Sequence, residues 1–335
     1  MRHFHQDTIV LLAKPLLLGV LLLWPTANIH AQKYKEFLHW ADSILSIRYQ
    51  KADIDTNYIV RPKTKWTVKG KLNLSGARLR VVGMEDDHRF MSDMSADYKS
   101  TISAGVSYMG ISLNMALNPA KMMGRYNDYE LNINSYGKKM GFDFIYQNAH
   151  NFKGWHDYEG NERIYLSPNV LKLETLNINA YYAFNHRRFS YPAAFAQSYI
   201  QKRSAGSFLL AVSGQGQTGT FDDDYSIKFK MTNIGIGAGY GYNYVPHRRW
   251  LLHLSALPTF IVYSNTSVRL DGDKVPLDYH FPEVIITGRG AIVRQIGNMF
   301  AGLTMVYTFT SIGDEHVLSV QNNKWRMRAF FGFRL

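Results

Sequence analysis

The segment Trp325-Arg-Met-Arg-Ala-Phe-Phe-Gly-Phe-Arg-Leu335 alternates without a break. Trp325, Met327, Ala329, Phe331, Phe333 and Leu335 fall on one side, and Arg326, Arg328, Phe330, Gly332 and Arg334 on the other. Successive side chains of a strand point to opposite faces, so this is a strand with one greasy and one cationic face. In a soluble sandwich the greasy face would meet a second sheet. Here the pattern recurs along the chain behind an export signal, and that combination points to a transmembrane β-barrel with apolar residues toward lipid and polar ones toward the lumen.

The signal is read over residues 1–31. A weakly basic start (Arg2, His3, His5) precedes an apolar run from Ile9 to Trp24, and Ile29-His30-Ala31 ends on a small residue suited to cleavage before Gln32. Lys14-Pro15 interrupts the run, leaving too few apolar residues for a helical anchor. Removing Arg2, Lys14 and Asp7 with the signal lowers the formal net charge of +12 by one. No cysteine occurs, which excludes disulfides, thiolate metal sites and a lipid-anchored cysteine. Beyond residue 31 no apolar run is long enough for a spanning helix, so a chain that crosses a bilayer must close its backbone hydrogen bonds in a barrel. The 22 Tyr, 19 Phe and 26 Gly fit interfacial aromatic girdles and Gly-lined walls.

Three regions are expected: the signal peptide at 1–31, a periplasmic helix and linker at 32–62, and the barrel at 63–335. In the second, Tyr34, Phe37, Leu38, Ala41, Ile44, Leu45 and Arg48 follow helical spacing, as a plug, a docking helix or a simple cover for the lower rim. The fold class is all-β: an antiparallel transmembrane barrel of about 12 strands with a short N-terminal periplasmic helix. The strands are read near Trp66–Val81, Tyr98–Tyr108, Ile111–Leu117, Asp128–Ser135, Met140–Asn148, Leu171–Phe184, Ser204–Gly214, Ile234–Tyr244, Trp250–Tyr263, Val284–Arg294, Asn298–Thr310 and Trp325–Leu335. In the first, the apolar phase flips past Gly76, which predicts a β-bulge and turns Arg78 and Arg80 inward with Lys69 and Lys71. In the eighth, Gly235, Gly237, Gly239 and Gly241 share one face, a sign of crowding from across it. Pro258 in the ninth needs a weakly paired site.

Connection lengths test this topology. Short joins at Met109-Gly110, Gly137-Lys138, Val245–Arg249 and Ile296-Gly297 alternate with longer ones near 84–97, 119–127, 149–170, 215–231, 264–283 and 311–322. The exception is Asn185–Arg203, a long segment on the short-turn side. Basic pairs (Lys138-Lys139, Arg187-Arg188, Arg248-Arg249) mark the short side, and acidic clusters such as Asp222-Asp223-Asp224 mark the long side. Basic turns are favoured beside anionic headgroups. The acidic loops offer oxygen ligands that suit Ca²⁺ or Mg²⁺, but such residues are more often merely solvated, and neither a metal site nor a cofactor is expected.

Two stretches carry a resemblance. Asp55-Thr-Asn-Tyr-Ile-Val-Arg-Pro62, and Ser190-Tyr-Pro-Ala-Ala-Phe-Ala-Gln-Ser198 followed by Gln201-Lys-Arg-Ser-Ala-Gly-Ser207, resemble the uncharacterised bacterial family called domain of unknown function 4421. The resemblance runs from about Asp53 to Leu335. It implies a secreted outer-membrane β protein with a long periplasmic insertion as a family feature, and it supplies no activity or catalytic residue.

The candidate ligand residues are lumenal cations. If the last strand pairs with the first, Arg326, Arg328 and Arg334 share a wall with Lys69, Lys71, Arg78 and Arg80, and Arg289 lies nearby. Stacked like charges in a narrow, low-dielectric lumen demand compensation from Glu130 or Asp143, from water, or from an anionic ligand. The outcomes are an anion-biased channel or ligand-binding barrel, or an internal salt-bridge lattice filling a small lumen. A structural or assembly role through the periplasmic segments is the alternative. The expected partners are outer-membrane lipid and a periplasmic protein, not nucleic acid, since the basic residues form no contiguous exposed patch. The protein is not expected to be an enzyme. A hydrolase would have to use His253 and Ser255, as outer-membrane phospholipases use a His-x-Ser pair, yet i, i+2 residues of a strand are about 7 Å apart at their roots and this pair faces the lumen.

Overall fold

The computed structural model describes Ser43 and residues 53–85, 88–108, 111–117, 129–150, 152–158, 163–167, 170–222, 226–270, 273–276, 283–314 and 318–335. The expected signal peptide, and all but Ser43 of the expected helix at 32–50, lie outside these residues.

In chain order the strands are β1 (Ile59–Val60), β2 (Trp66–Glu85), β3 (His88–Ala96), β4 (Lys99–Tyr108), β5 (Ile111–Leu117), β6 (Tyr129–Tyr136), β7 (Met140–Ala149), β8 (Phe152–Tyr158), β9 (Ile164–Tyr165) and β10 (Leu171–Ala183). After the helix α1 (Tyr191–Phe195) come β11 (Ile200–Gln201), β12 (Ala205–Asp222), β13 (Ser226–Tyr244), β14 (Trp250–Leu270), β15 (Asp273–Pro276), β16 (Val284–Ile296), β17 (Met299–Asp314) and β18 (Leu318–Arg334). Twelve of the described strands form an antiparallel ring, β2, β4, β5, β6, β7, β10, β12, β13, β14, β16, β17 and β18, which closes through β18–β2 pairing. Each of the twelve segments read from the sequence is one of these strands.

Alternation then decides what each wall shows to either side. On β12 the odd residues face in, with Leu209, Ala211, Ser213 and Gln215 buried, and the even residues face out, with Phe208 71% exposed. Leu254 on β14 is 73% exposed beside buried His253 and Ser255. Exposed aromatics gather near both ends: Tyr240, Tyr242, Tyr244 and Trp250 at the short-turn end, Tyr98, Phe260 and Tyr263 nearer the loops. From Trp250 to Phe260, a rise of roughly 3.3 Å per residue at a tilt of about 40° gives a band roughly 25 Å tall, the height of an outer-membrane hydrocarbon layer.

Three local features differ from the sequence reading or refine it. The β2–β18 register runs unbroken from Thr67↔Arg334 to Gly83↔Leu318, so no bulge occurs at Gly76 and the phase does not flip. Glycine stands there because the indole of Trp325 on β18 covers it; a Cβ would lie 2.8 Å from Nε1. Arg78 and Arg80 therefore face outward. The β13–β14 ladder shifts at Ile234/Gly235, setting both Val262 and Tyr263 outward, and pairing lapses between Gly237↔Thr259 and Tyr240↔Ala256, where Pro258 has no N–H to give. Connections read as loops near 84–97 and 149–170 contain β3, β8 and β9, which extend the wall beyond the ring. They exist because β2 outruns β4: β4 pairs with Trp66–Ser75, and β3 takes up Arg78–Glu85. At the opposite end the Ile296–Met299 turn is tight, and Gly297 supplies its left-handed residue at φ +62°.

The long segment after β10 folds into the short-turn end of the barrel. With the linker at 53–62 it makes a strap in which β1 and β11 pair as Ile59↔Gln201 and Val60↔Ile200. Ser190 caps α1 by accepting from the Ala193 N–H at 3.2 Å, and Pro192 occupies its first turn, where a missing N–H costs nothing. Ile59, Ala193, Ala194 and Tyr199 pack on Leu251, Ala291, Val293, Phe300 and Phe330 of the wall. Phe189 and Tyr191 pack on Tyr181, Leu209 and Ala211. The strap explains one glycine of the β13 face: a Cβ on Gly241 would sit 3.0 Å from Cζ of Phe189. Gly241→Val should therefore lift the strap. Chymotrypsin is expected to cut at Phe189, Tyr191, Phe195 or Tyr199 several-fold faster in the variant than in the wild type, and equal resistance would refute this packing.

Candidate functional site

The strap is held by a polar network anchored in the wall. Asn243 on β13 donates from Nδ2 to Ser190 O at 2.9 Å and to Gln201 Oε1 at 3.0 Å. Its Oδ1 is 2.7 Å from His253 Nδ1, and His253 Nε2 is 3.0 Å from Ser255 Oγ. Because Asn243 Oδ1 only accepts, His253 carries its proton on Nδ1, and Nε2 accepts from the Ser255 hydroxyl. The pair that strand geometry alone keeps 7 Å apart at the backbone thus meets through its side chains, with Asn243 as the orienting group. Tyr191 of the strap covers the serine, its hydroxyl 3.4 Å from Ser255 Oγ.

Gln197 is a second anchor. It is fully buried and adopts φ +59°, a left-handed conformation that strains a side chain bearing a Cβ. The strain is offset by four bonds: its N–H donates to Pro192 O (2.7 Å), its Nε2 donates to Ala194 O (2.9 Å), its Oε1 accepts from Lys69 Nζ (3.1 Å), and its backbone oxygen accepts from Arg334 Nε (3.0 Å). Lys69 also reaches Ala196 O at 3.2 Å, so two wall cations take the carbonyls at the end of α1.

At the rim the strap is fixed by charge. Arg187 Nε lies 3.1 Å from Asp53 Oδ1, Arg188 Nε 3.3 Å from Asp55 Oδ2, and Lys138 Nζ donates to the Asp53 carbonyl. The Asn57 N–H, 3.0 Å from Asp55 Oδ1, and then Arg188 hold the Asp55 carboxyl below its ordinary value. Burial, reinforced by Lys138 and Lys139, holds the His186 imidazole below its own.

Above the strap the lumen is polar. A cavity of about 130 Å³ is lined by Arg326 and Arg328 on β18, with Asn177 and Asn179 of β10 and Ser213 and Gln215 of β12. Two interactions join distant strands of the ring across it. Arg289 on β16 donates to Asp143 Oδ2 on β7 at 2.9 Å, and Lys324 on β18 reaches Thr175 Oγ1 on β10 at 3.3 Å. Asp143 also accepts from Tyr136 at 2.6 Å. Among the described residues, five basic and two acidic ones line the cavity, an excess of three positive charges. Farther toward the loops the interior is apolar, with Leu79, Met94, Phe152, Leu171 and Leu173 in one cluster and Met231, Ile261, Ile285 and Ile312 in another.

The eight cations read as lumenal ligands thus separate into groups. Arg326, Arg328 and Arg289 line the chamber, Arg289 within its ion pair, and Lys71 follows Lys69 on the inward face of β2, opposite Phe330. Lys69 and Arg334 serve the strap. Arg78 and Arg80 are corrections: Arg78 pairs outside with Asp93 of β3 at 2.5 Å, and Arg80 Nη2 lies 3.1 Å from Met91 Sδ. Leu79 between them is the buried residue, because the alternation of β2 continues through Gly76. Arg187 and Arg188, read as facing headgroups, are engaged by the linker's aspartates. Glu130, the other candidate counter-charge, lies where no side chain is described. Lys324 was legible as one more step of the alternation that opened the sequence reading. Asn243, Gln197 and Gln215 carried no signal, since each acts through strand register or the strap's fold.

The sequence matches the family model described as a domain of unknown function (DUF4421) over residues 53–335. The chain belongs to the DUF4421 family. No curated protein matches it. Among solved structures, the outer membrane protease OmpT of Escherichia coli superposes with a TM-score of 0.42 at 8% identity, covering 82% of this chain and 98% of that one. The outer membrane protein OprG of Pseudomonas aeruginosa gives 0.29 at 11% identity (83% and 98% covered), and the translocator domain of the autotransporter NalP of Neisseria meningitidis gives 0.27 at 8% (92% and 100%). Such distant likenesses lend this DUF4421 protein no activity. The family match spans both parts of the strap, which the fold brings together.

The rim groups give the strap a pH dependence of one sign. Asp55 and His186 both have lowered values when docked, so the docked strap holds fewer protons than the released one. Docking is therefore strongest at neutral pH. It weakens first as pH falls below the ordinary histidine value of about 6.5, and again as Asp55 titrates. Proteinase K should cleave within 185–203 faster at pH 5.5 than at pH 7.5, and His186→Gln should flatten that difference. Equal rates at the two pH values in the wild type would contradict the assignment.

Proposed function

We propose that this protein resides in the bacterial outer membrane with its strap end toward the periplasm, and that its lumen binds a small anion. The observation that carries this is the chamber's excess of three positive charges, which remains after Lys69 and Arg334 are committed to the strap. A net positive charge in a confined lumen raises the affinity for an anion. Arg289–Asp143 and Lys324–Thr175 narrow the passage and the strap fills the periplasmic mouth, which favours an occluded binding barrel over an open pore. The basic turns Lys138-Lys139 and Arg248-Arg249 suit the periplasmic leaflet. A periplasmic partner, if one acts here, would compete with the barrel for the strap.

In planar bilayers the wild type should show no steady conductance. Replacing residues 189–201 by a short Gly-Ser linker should open an anion-biased conductance, and adding Arg328→Glu should reverse or abolish that bias. Steady conductance of the wild type, or a cation-selective strapless form, would overturn this reading.

The Asn243–His253–Ser255 relay favours a second one, hydrolysis of an ester after the strap lifts: nucleophile, base and orienting group are within hydrogen-bond reach. A fluorophosphonate probe would then label the strapless protein but not its Ser255→Ala form. Absence of label would leave the relay as part of the strap's latch.

A further inference from the structure

The chamber holds more than charge. Gln215 and Ser213 on β12 and Asn322 on β18 are each more than nine-tenths buried, and all three line the cavity. The carboxamide oxygen of Gln215, the hydroxyl of Ser213 and the amide nitrogen of Asn322 take no hydrogen bond among the described residues. Buried polar groups left this way are costly, and here they flank the contacts that cross the lumen: Gln215 lies between the two, Ser213 is level with Arg289–Asp143, and Asn322 is the next inward residue beyond Lys324. The register shows it: Asn179 pairs with both Asp143 and Ser213, Thr175 pairs with Gln217, and Asn177↔Gln215 lies between.

We propose that the chamber is a site for a small hydroxylated anion, a polyol phosphate or hydroxy acid of three or four carbons. The inference rests on the anion-binding reading and names its ligand class. An inorganic phosphate carries its only O–H groups on the same centre as the oxygens that meet Arg326, Arg328 and Asn322, so it brings no separate donor to the Gln215 oxygen. A ligand hydroxyl donates to that oxygen, which needs only rotation about the soft terminal torsion of the side chain to face the cavity. A second hydroxyl meets Ser213. The size of about 130 Å³ sets the upper limit, well below the usual range of drug-sized pockets.

The test is calorimetric titration of the full-length protein in an uncharged detergent with glycerol 3-phosphate, inorganic phosphate and glycerol. Glycerol 3-phosphate should bind about tenfold or more tighter than phosphate, as one or two hydrogen bonds to otherwise unpaired buried groups would give, and glycerol should not bind detectably. Gln215→Leu should bring glycerol 3-phosphate down to the affinity of phosphate, and Arg328→Gln should weaken both anions. Ser213→Ala, a smaller change, should lower only the preference for glycerol 3-phosphate, and it keeps the test decisive if Gln215→Leu fails to fold. Equal affinity for the two anions would overturn the ligand class and leave the anion chamber standing. No binding of either would overturn both.

Discussion

A strand inside hydrocarbon has no water to satisfy its edge, so the sheet of this protein holds together only as a ring. The decisive interaction is the β18–β2 ladder, seventeen residue pairs from Thr67↔Arg334 to Gly83↔Leu318. It removes the ring's last free edges and fixes which side chains share the lumen. By setting Arg328 beside Asn73 and Gly332 beside Lys69, the same ladder builds the cationic wall. It also presses Trp325 on Gly76, so closure and the orientation of Arg78 and Arg80 are one fact.

A ring of twelve strands leaves an interior that must be filled or wetted, and this chain divides it by height. At the short-turn end the filling is the strap, whose aromatic and small residues complete an apolar core against the wall. At the loop end it is the wall's own aliphatic side chains. Between them stands the polar chamber, spanned by a buried ion pair. Breaking one partner of such a pair typically costs about 3–5 kcal/mol, because the other charge stays desolvated. The Arg289–Asp143 bond therefore does more to fix the cross-section than to add stability beyond that of an apolar filling.

The strap's attachment is conditional in a way the ladder is not. Its apolar contacts are independent of pH, whereas its rim depends on Asp55 and His186. Its centre depends on Gln197, held in a strained conformation by four hydrogen bonds, and on Asn243, which joins it to His253 and Ser255. A segment attached through an apolar patch and a few polar contacts opens at lower cost than the ring around it. The wall is held by continuous ladders.

Alternation of apolar and polar residues, by itself, determined the twelve strands, their order of long and short connections, and the inward direction of Arg326, Arg328, Arg334, Lys69 and Lys71. That information is local, because the side chains of a strand can take only two directions. The sequence also marked Asn185–Arg203 as an anomaly on the short-turn side, and the Gly face of β13 as crowded. Only the tertiary structure decided that the anomaly is a strap, that Phe189 is what crowds Gly241, and that β2 keeps its phase through Gly76. It also decided that Lys69 and Arg334 answer strap carbonyls while Arg326 and Arg328 line the chamber. Those outcomes depend on which strands meet across the ring and how far each is staggered, and no stretch of the chain carries that information alone.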